Sequence, residues 1–181
     1  MSAYLSLEKQ IDKAIDDIKK CISKNNARVA LPILQWTLDK IELNHEESIR
    51  IEQCKVTKGA SNKPRYVKKG WVYYAKLGKN IGSEQNGFRP VLIVQSSQGN
   101  STSNTVTIIP LTDALDKNGK PKRTFGTHVE IDNSQLKKKS IIKTEHINNI
   151  SKNRLKEQIC FIGEEKMNEV DEKLKISLGL K

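Results

Sequence analysis

One polar loop carries the groups best suited to chemistry. It reads Gly82-Ser83-Glu84-Gln85-Asn86-Gly87-Phe88-Arg89-Pro90 and lies between two runs of strand-forming residues. Pro90 restricts Arg89 to an extended backbone, so its guanidinium stands at the entrance of a strand. The fork of donors on an arginine matches the oxygens of a phosphate. Two readings follow from the local pattern: a phosphate clamp, or a plain turn in which Arg89 and Glu84 pair with each other. His128, in Thr127-His128-Val129-Glu130-Ile131, has no second histidine near it in sequence and reads as a surface or substrate-contact residue rather than a catalytic one. The run from Asp116 to Arg123, DKNGKPKR, either tracks a phosphate backbone or is a solvated loop, and Lys137-Lys138-Lys139 poses the same choice. His45 continues a helical stripe and reads as a helix-face residue.

These groups need a scaffold, and the pattern changes along the chain. Leu7, Ile11, Ile15, Ile18 and Ile22 recur every three or four residues, as on one face of an amphipathic helix. Lys24-Asn25-Asn26 reads as a turn. Leu31, Leu34, Leu38 and Ile41 then mark a second helix, in which Pro32 is tolerable only within the first turn. Two stripes that can face one another predict a helical hairpin over 1–56. Residues 57–65, rich in Gly, Ser, Asn, Pro and Lys, read as a linker. From Tyr66 the period shortens. Trp71–Lys76, Arg89–Gln95, Thr105–Leu111 and Thr127–Ile131 are rich in β-branched and aromatic residues, and Ser140–Ile142 and Gln158–Ile162 are further strand candidates. Short strands between turns predict a small antiparallel barrel or sandwich over 66–181. Ser151 can cap a brief helical turn. The chain closes on a helix with Glu164 and Glu165 in its first turn, a stripe of Met167, Val170, Leu174 and Leu178, and Gly179 at its end.

Composition narrows the partners. The 181 residues carry 32 Lys+Arg against 21 Asp+Glu, a net charge of +11. Residues 1–65 hold 12 basic and 9 acidic residues, and 66–181 hold 20 and 12. An excess of this size favours a polyanionic partner, nucleic acid first and a membrane surface second. The longest apolar runs, Val29–Leu34 and Val91–Val94, fall far short of the roughly 20 residues that span a bilayer. The start of the chain turns charged at Glu8, unlike a secretory signal. Cys21, Cys54 and Cys160 are odd in number and widely spaced, without metal-ligand spacing, so a reducing cytosol is the expected compartment and no metal or cofactor is expected.

The segments GWVYYAKLG, GSEQNGFRPVLIVQ, TVTIIPLT, THVEI and RLKEQICFIGEEKMNEVDEKLKISLGL occur in that order between Lys69 and Leu180. In them the chain resembles the MazF/PemK toxins of bacterial toxin–antitoxin systems. Residues 1–65 lie outside the resemblance. It implies an α+β fold, a Src-homology-3-like barrel with a C-terminal helix, here preceded by the helical hairpin. It also implies a sequence-specific, metal-independent endoribonuclease that cuts single-stranded mRNA, works as a homodimer and is neutralised by an antitoxin. The family's arginine falls on Arg89, its threonine on Thr112, its loop glutamate on Glu84 and the neighbouring serine on Ser83. Arg89, Thr112 and Glu84 are then the expected catalytic set. Ser83, Gln85, Phe88, Lys120, Lys122, Arg123 and His128 are the expected RNA contacts.

Three positions depart from the family pattern. His146 stands where a glutamine is more common, Asn148 where a basic residue is common, and Trp71 where many relatives have an acid. Trp71 could stack on a base, or pack in the core or an interface. Two rival functions share the fold: a toxin that binds and poisons a protein such as DNA gyrase, and a non-catalytic RNA-binding module. The apolar stripes of residues 1–65 favour a protein–protein role for that segment.

Overall fold

A computed structural model describes residues 2–56 and 65–180. Most of the expected linker, 57–64, lies outside the described residues. The chain divides into two compact units, Met1–Glu42 and Leu43–Lys181.

The first unit holds α1 (Ser2–Cys21) and the beginning of α2 (Ala27–Val56). Asn26 organises the turn between them. Its side chain accepts from the Ser23 backbone N–H at 2.7 Å and donates to the Cys21 carbonyl at 2.8 Å. Pro32 lies beyond the first turn of α2, because the helix starts earlier than the apolar stripe suggests. The stripes do not bury one another along their length. Leu7, Ile11, Ile15 and Ile18 remain 42–53% exposed, and Leu38 and Ile41 are 62% exposed. Burial concentrates nearer the turn, where Ile22 and Leu34 are half-buried and Trp36 is buried.

The second unit is a seven-stranded antiparallel barrel closed by a helix. Its strands are β1 (Trp71–Gly78), β2 (Gly87–Ile93), β3 (Thr105–Asp113), β4 (His128–Ile131), β5 (Ser140–Lys143), β6 (Asn148–Ser151) and β7 (Leu155–Phe161). They run in the order β4-β5-β3-β2-β1-β7, with β6 on the first half of β3. A short α3 (Ser97–Thr102), N-capped by the Ser96 hydroxyl, joins β2 to β3. The last helix, α4 (Glu164–Leu178), ends at Gly179 in the left-handed region, where glycine carries no Cβ penalty.

Strand alternation sends side chains to two faces. Val72, Leu92, Ile109 and Leu111 pack with Met167 and Val170 of α4. Tyr73, Ala75, Val91, Ile93 and Ile108 pack with Ile150 of β6 and Leu155 of β7 on the other face. Arg65 is pinned to the barrel: its guanidinium donates to the Leu155 and Lys156 carbonyls at 3.1 and 3.0 Å and lies over the Tyr73 ring. The second half of α2 also meets the barrel, where Asn153 donates to Glu47 at 2.7 Å. Among the described residues, no helix is long and apolar enough to cross a membrane.

Candidate active site

The β2–β3 ladder pairs Val91 with Pro110, Leu92 with Ile109 and Ile93 with Ile108. The ladder ends at the Val91–Pro110 pair, beyond which Thr112 pairs with Ile141 of β5; alternation places Arg89 on the face of Val91 and Thr112 on the face of Pro110. On its other side Arg89 pairs with Ala75 of β1. The Arg89 guanidinium is half-buried and held at two points. Its Nε donates to the Asn86 carbonyl at 2.6 Å, and its Nη1 donates to Gln85 Oε1. Nη2 has no hydrogen-bond partner among the described residues. Burial pushes the guanidinium below its ordinary pKa, and the charge of Asp113 offsets part of that effect. Asp113 makes no bond to Arg89, because its carboxylate meets Lys138 Nζ at 2.8 Å. The cation is therefore anchored without being neutralised by a contacting acid.

Thr112 contributes an unusual atom. Its Oγ1 is buried and has no hydrogen-bond partner among the described residues. A buried hydroxyl without a partner costs about 1–3 kcal/mol, so such groups are rare unless a ligand completes them. Here the orphan lies on the strand face that also carries Arg89.

Glycines and asparagines set the loop before Arg89. Gly82 and Gly87 both have positive φ, 59° and 80°, which lets the chain leave β1 and enter β2 across a short neck. Asn80 laces that neck: its backbone N–H donates to Asn86 Oδ1 at 2.5 Å and its side chain donates to the Gln85 carbonyl at 2.8 Å. The result is a cavity of about 520 Å³ lined by Asn80, Ser83, Glu84, Gln85, Pro110, Glu145, His146, Ile147 and Asn148. By register, Pro110 lies on the same face as Arg89 and Thr112.

The expected residues therefore sort by place. Ser83, Glu84 and Gln85 line this cavity. Glu84 is exposed and makes no ion pair with Arg89. The simple Arg89–Glu84 turn is thus not the arrangement, and the Glu84 carboxylate is open to other roles. The side-chain Oε1 of Gln85, an expected RNA contact, accepts from Arg89. Phe88 alternates to the opposite face from Arg89. There it stacks on Tyr74 with ring centroids 5.0 Å apart, leaving it 56% exposed but outside the cavity.

Lys120, Lys122 and Arg123 lie on the loop that leaves β3 just after Thr112. Asp116 shapes it by accepting from the Asn118 and Lys120 backbone N–H groups at 2.8 and 2.9 Å. Lys122 Nζ donates to the Asp113 carbonyl at 2.9 Å, and Arg123 lies over the Phe125 ring. His128 corrects the expectation of a surface contact. Its side chain is 1% exposed, with Nε2 2.8 Å from Glu145 and Nδ1 accepting from the Phe125 backbone N–H. Both ring nitrogens are spent on protein partners, so neither reaches a ligand. Burial raises the Glu145 carboxyl, but its own backbone N–H, His128 and Thr127 outweigh that and hold it below the ordinary value. Trp71 packs against Phe161 and the cluster of Tyr73, Ala75 and Ile108, which favours its packing role. Sequence reasoning did not include Asn80, Asn86 or Pro110 in the site. His146 and Asn148 carried a signal, as departures from the family pattern, but no reason to place them in one cavity.

The chain is similar to known proteins through most of its second unit. Residues 68–178 match the family model described as PemK-like, MazF-like toxin of type II toxin–antitoxin system. The endoribonuclease MazF of Staphylococcus epidermidis is 46% identical over 116 residues, covering 63% of this chain and 92% of that protein. That of Staphylococcus saprophyticus is 43% identical over the same shares. Among solved structures, MazF (Form-I) from Deinococcus radiodurans superposes with a TM-score of 0.54 at 20% identity, covering 64% of this chain and 99% of that one. An endoribonuclease from a mycobacterial species does so with a TM-score of 0.51 at 23% identity, covering 65% and 95%. These two establish the likeness of fold. Through residues 68–178, more than half its length, the chain belongs to the PemK-like, MazF-like toxin family of type II toxin–antitoxin systems.

Proposed function

We propose that this chain is a sequence-specific endoribonuclease toxin that cuts single-stranded mRNA in the cytoplasm. It works as a two-fold dimer and is silenced by a cognate antitoxin. The observation that carries the reading is the orphan Thr112 hydroxyl on the strand face of an anchored, unneutralised Arg89. The 46% identity to a staphylococcal endoribonuclease supports it. The antitoxin is supported by the family and by the fold's likeness to an endoribonuclease solved with its cognate antitoxin.

The chemistry needs no resident metal, because RNA brings its own nucleophile. The ribose 2′-oxygen attacks the adjacent phosphorus in line, the bond from phosphorus to the 5′-oxygen breaks, and a 2′,3′-cyclic phosphate and a free 5′-hydroxyl result. Arg89 stabilises the charge that builds on the phosphate oxygens. It is too weak an acid to be the favoured proton donor, so the leaving 5′-oxygen takes its proton from solvent water. The Thr112 hydroxyl binds a phosphate oxygen or orients the 2′-OH. Glu84, open to the cavity, is the candidate base that takes the 2′-proton. Ser83, Lys120, Lys122 and Arg123 hold flanking nucleotides. The exposed stripe of α1 suits a protein partner, which truncation of residues 1–65 followed by antitoxin-binding and oligomer-size measurements would test.

The deciding experiment incubates the purified full chain with a long RNA, with and without EDTA. Cleavage that survives EDTA and ends in 2′,3′-cyclic phosphates is expected. Intact RNA under all conditions would overturn the proposal; tight binding to a topoisomerase would then favour the poisoning function.

A further inference from the structure

Gln85 joins a cation to an imidazole. Its Oε1 accepts from Arg89 Nη1, and its Nε2 lies 3.3 Å from His146 Nδ1. The first contact fixes the second. A guanidinium has only donors, so the Gln85 oxygen faces Arg89 and its NH2 faces the ring. An NH2 can only donate, so Nδ1 offers a lone pair and the proton of the neutral ring sits on Nε2. Arg89 thus dictates the tautomer of His146 through one amide.

The backbone that carries His146 is fixed from behind. It belongs to a 3-10 turn, Thr144–His146. Thr144 is fully buried, with its hydroxyl 2.9 Å from the Thr127 carbonyl and 3.2 Å from the Lys173 carbonyl of α4. Glu145 takes His128 and Thr127 at 2.8 and 3.1 Å. With its two preceding residues held, His146 supports the Gln85 amide.

We propose that His146 is a positioning residue: its neutral imidazole holds Gln85, which holds the Arg89 guanidinium toward the phosphate. A proton on Nδ1 replaces the acceptor with a donor, sets N–H against NH2, and releases the amide. The inference rests on the reading of Arg89 as the phosphate-binding group. The charged groups around the ring are few. Glu84 lines the same cavity, and Arg89 lies beyond Gln85. Glu145 beside the ring is engaged with His128, and Lys173 of α4 meets the turn through its carbonyl. β3 brings the uncharged Pro110 to the cavity. The Asn86 carbonyl remains a second anchor for Arg89, so the loss on protonation is partial.

The test measures RNA cleavage by the full chain between about pH 5 and 8. H146A and Q85A should each lower kcat about ten-fold, and the double variant should lose no more than either alone. H146N, whose Oδ1 can stand near the Nδ1 position, should recover most of the H146A loss and lack the acid limb of the wild type. An unchanged acid limb in H146N, or losses that multiply in the double variant, would overturn the proposal. Nitrogen-15 NMR reads the ring without any cleavage. A proton on Nε2 that loses its preference in Q85A supports the bridge, and a proton on Nδ1 in the wild type refutes it. If H146A does not fold, Q85A and the NMR spectrum still decide. A chain that cuts no RNA yet shows the Nε2 tautomer would defeat the functional reading and leave the bridge standing.

Discussion

Arg89 of β2 and Thr112 of β3 each lie two residues beyond the last β2–β3 pair, Val91–Pro110, and the Thr112 hydroxyl is buried without a partner among the described residues. A cation anchored by its neighbours and a hydroxyl left open by its neighbours are complementary. One phosphate oxygen can satisfy the second while its charge meets the first.

Arg89→Ala should lower cleavage by roughly two to three orders of magnitude, the usual loss for one preorganised charge-stabilising donor. Arg89→Lys should recover little. A lysine ammonium cannot reproduce a fork that bonds Asn86 and Gln85 while keeping donors for a ligand. Single-turnover rates at saturating RNA test both variants. Wild-type rates in Arg89→Ala would remove the residue from the mechanism.

Thr112→Val should separate function from stability. The isosteric change deletes an unsatisfied buried hydroxyl, so stability should hold or rise by up to about 1 kcal/mol while cleavage falls. Thermal unfolding and a cleavage assay on the same preparation check this. A destabilised variant would mean that the hydroxyl has a structural partner in solution.

Glu145 should make the fold sensitive to acid. Its carboxyl is held below the ordinary value of 4.5, so the folded state prefers the charged form more than the unfolded state does. That preference contributes stability above the ordinary value, and the contribution is lost as pH falls through it toward the lower folded pKa. Glu145→Gln should flatten this acid-side loss in unfolding experiments. The same slope in the variant would show that other carboxylates set it.

The loop after β3 should govern the salt dependence of RNA binding. Lys120→Gln and Arg123→Gln should each reduce the slope of log affinity against log salt by about 0.7, the value of one phosphate contact on a single strand. Binding titrations with an uncleavable RNA, at several salt concentrations, read this directly. Unchanged slopes would make the segment a solvated loop.

Much of this arrangement was legible in the residues. Trp71–Lys76, Arg89–Gln95 and Thr105–Leu111 mark strands because their β-branched and aromatic side chains suit a pleated, half-buried surface. Pro90 fixes the Arg89 backbone, so that residue could be singled out before any contact was known. β6 was not legible. Asn148-Asn149-Ile150-Ser151 is polar, and Ile150 alone among the four is buried, so its strand character comes from pairing with β3. His128 escaped for a similar reason. An alternating strand indicates a face but not that Glu145, 17 residues later, would return to claim its ring. The helical stripes of residues 1–56 predicted both helices, yet periodicity cannot say what covers a face, and much of theirs remains exposed. The cavity joins a loop at 80–85 to a turn at 145–148, and that approach depends on β3 pairing with β2, β5 and β6 at once.

The most direct test is a crystal structure of the full chain with a short RNA made uncleavable by a 2′-deoxy sugar at the cut site. The account predicts one phosphate within about 3 Å of both the Arg89 guanidinium and Thr112 Oγ1, with an adjoining nucleotide in the cavity beside Glu84 and His146. A scissile phosphate bound instead on the Tyr74–Phe88 face, out of reach of either group, would contradict it.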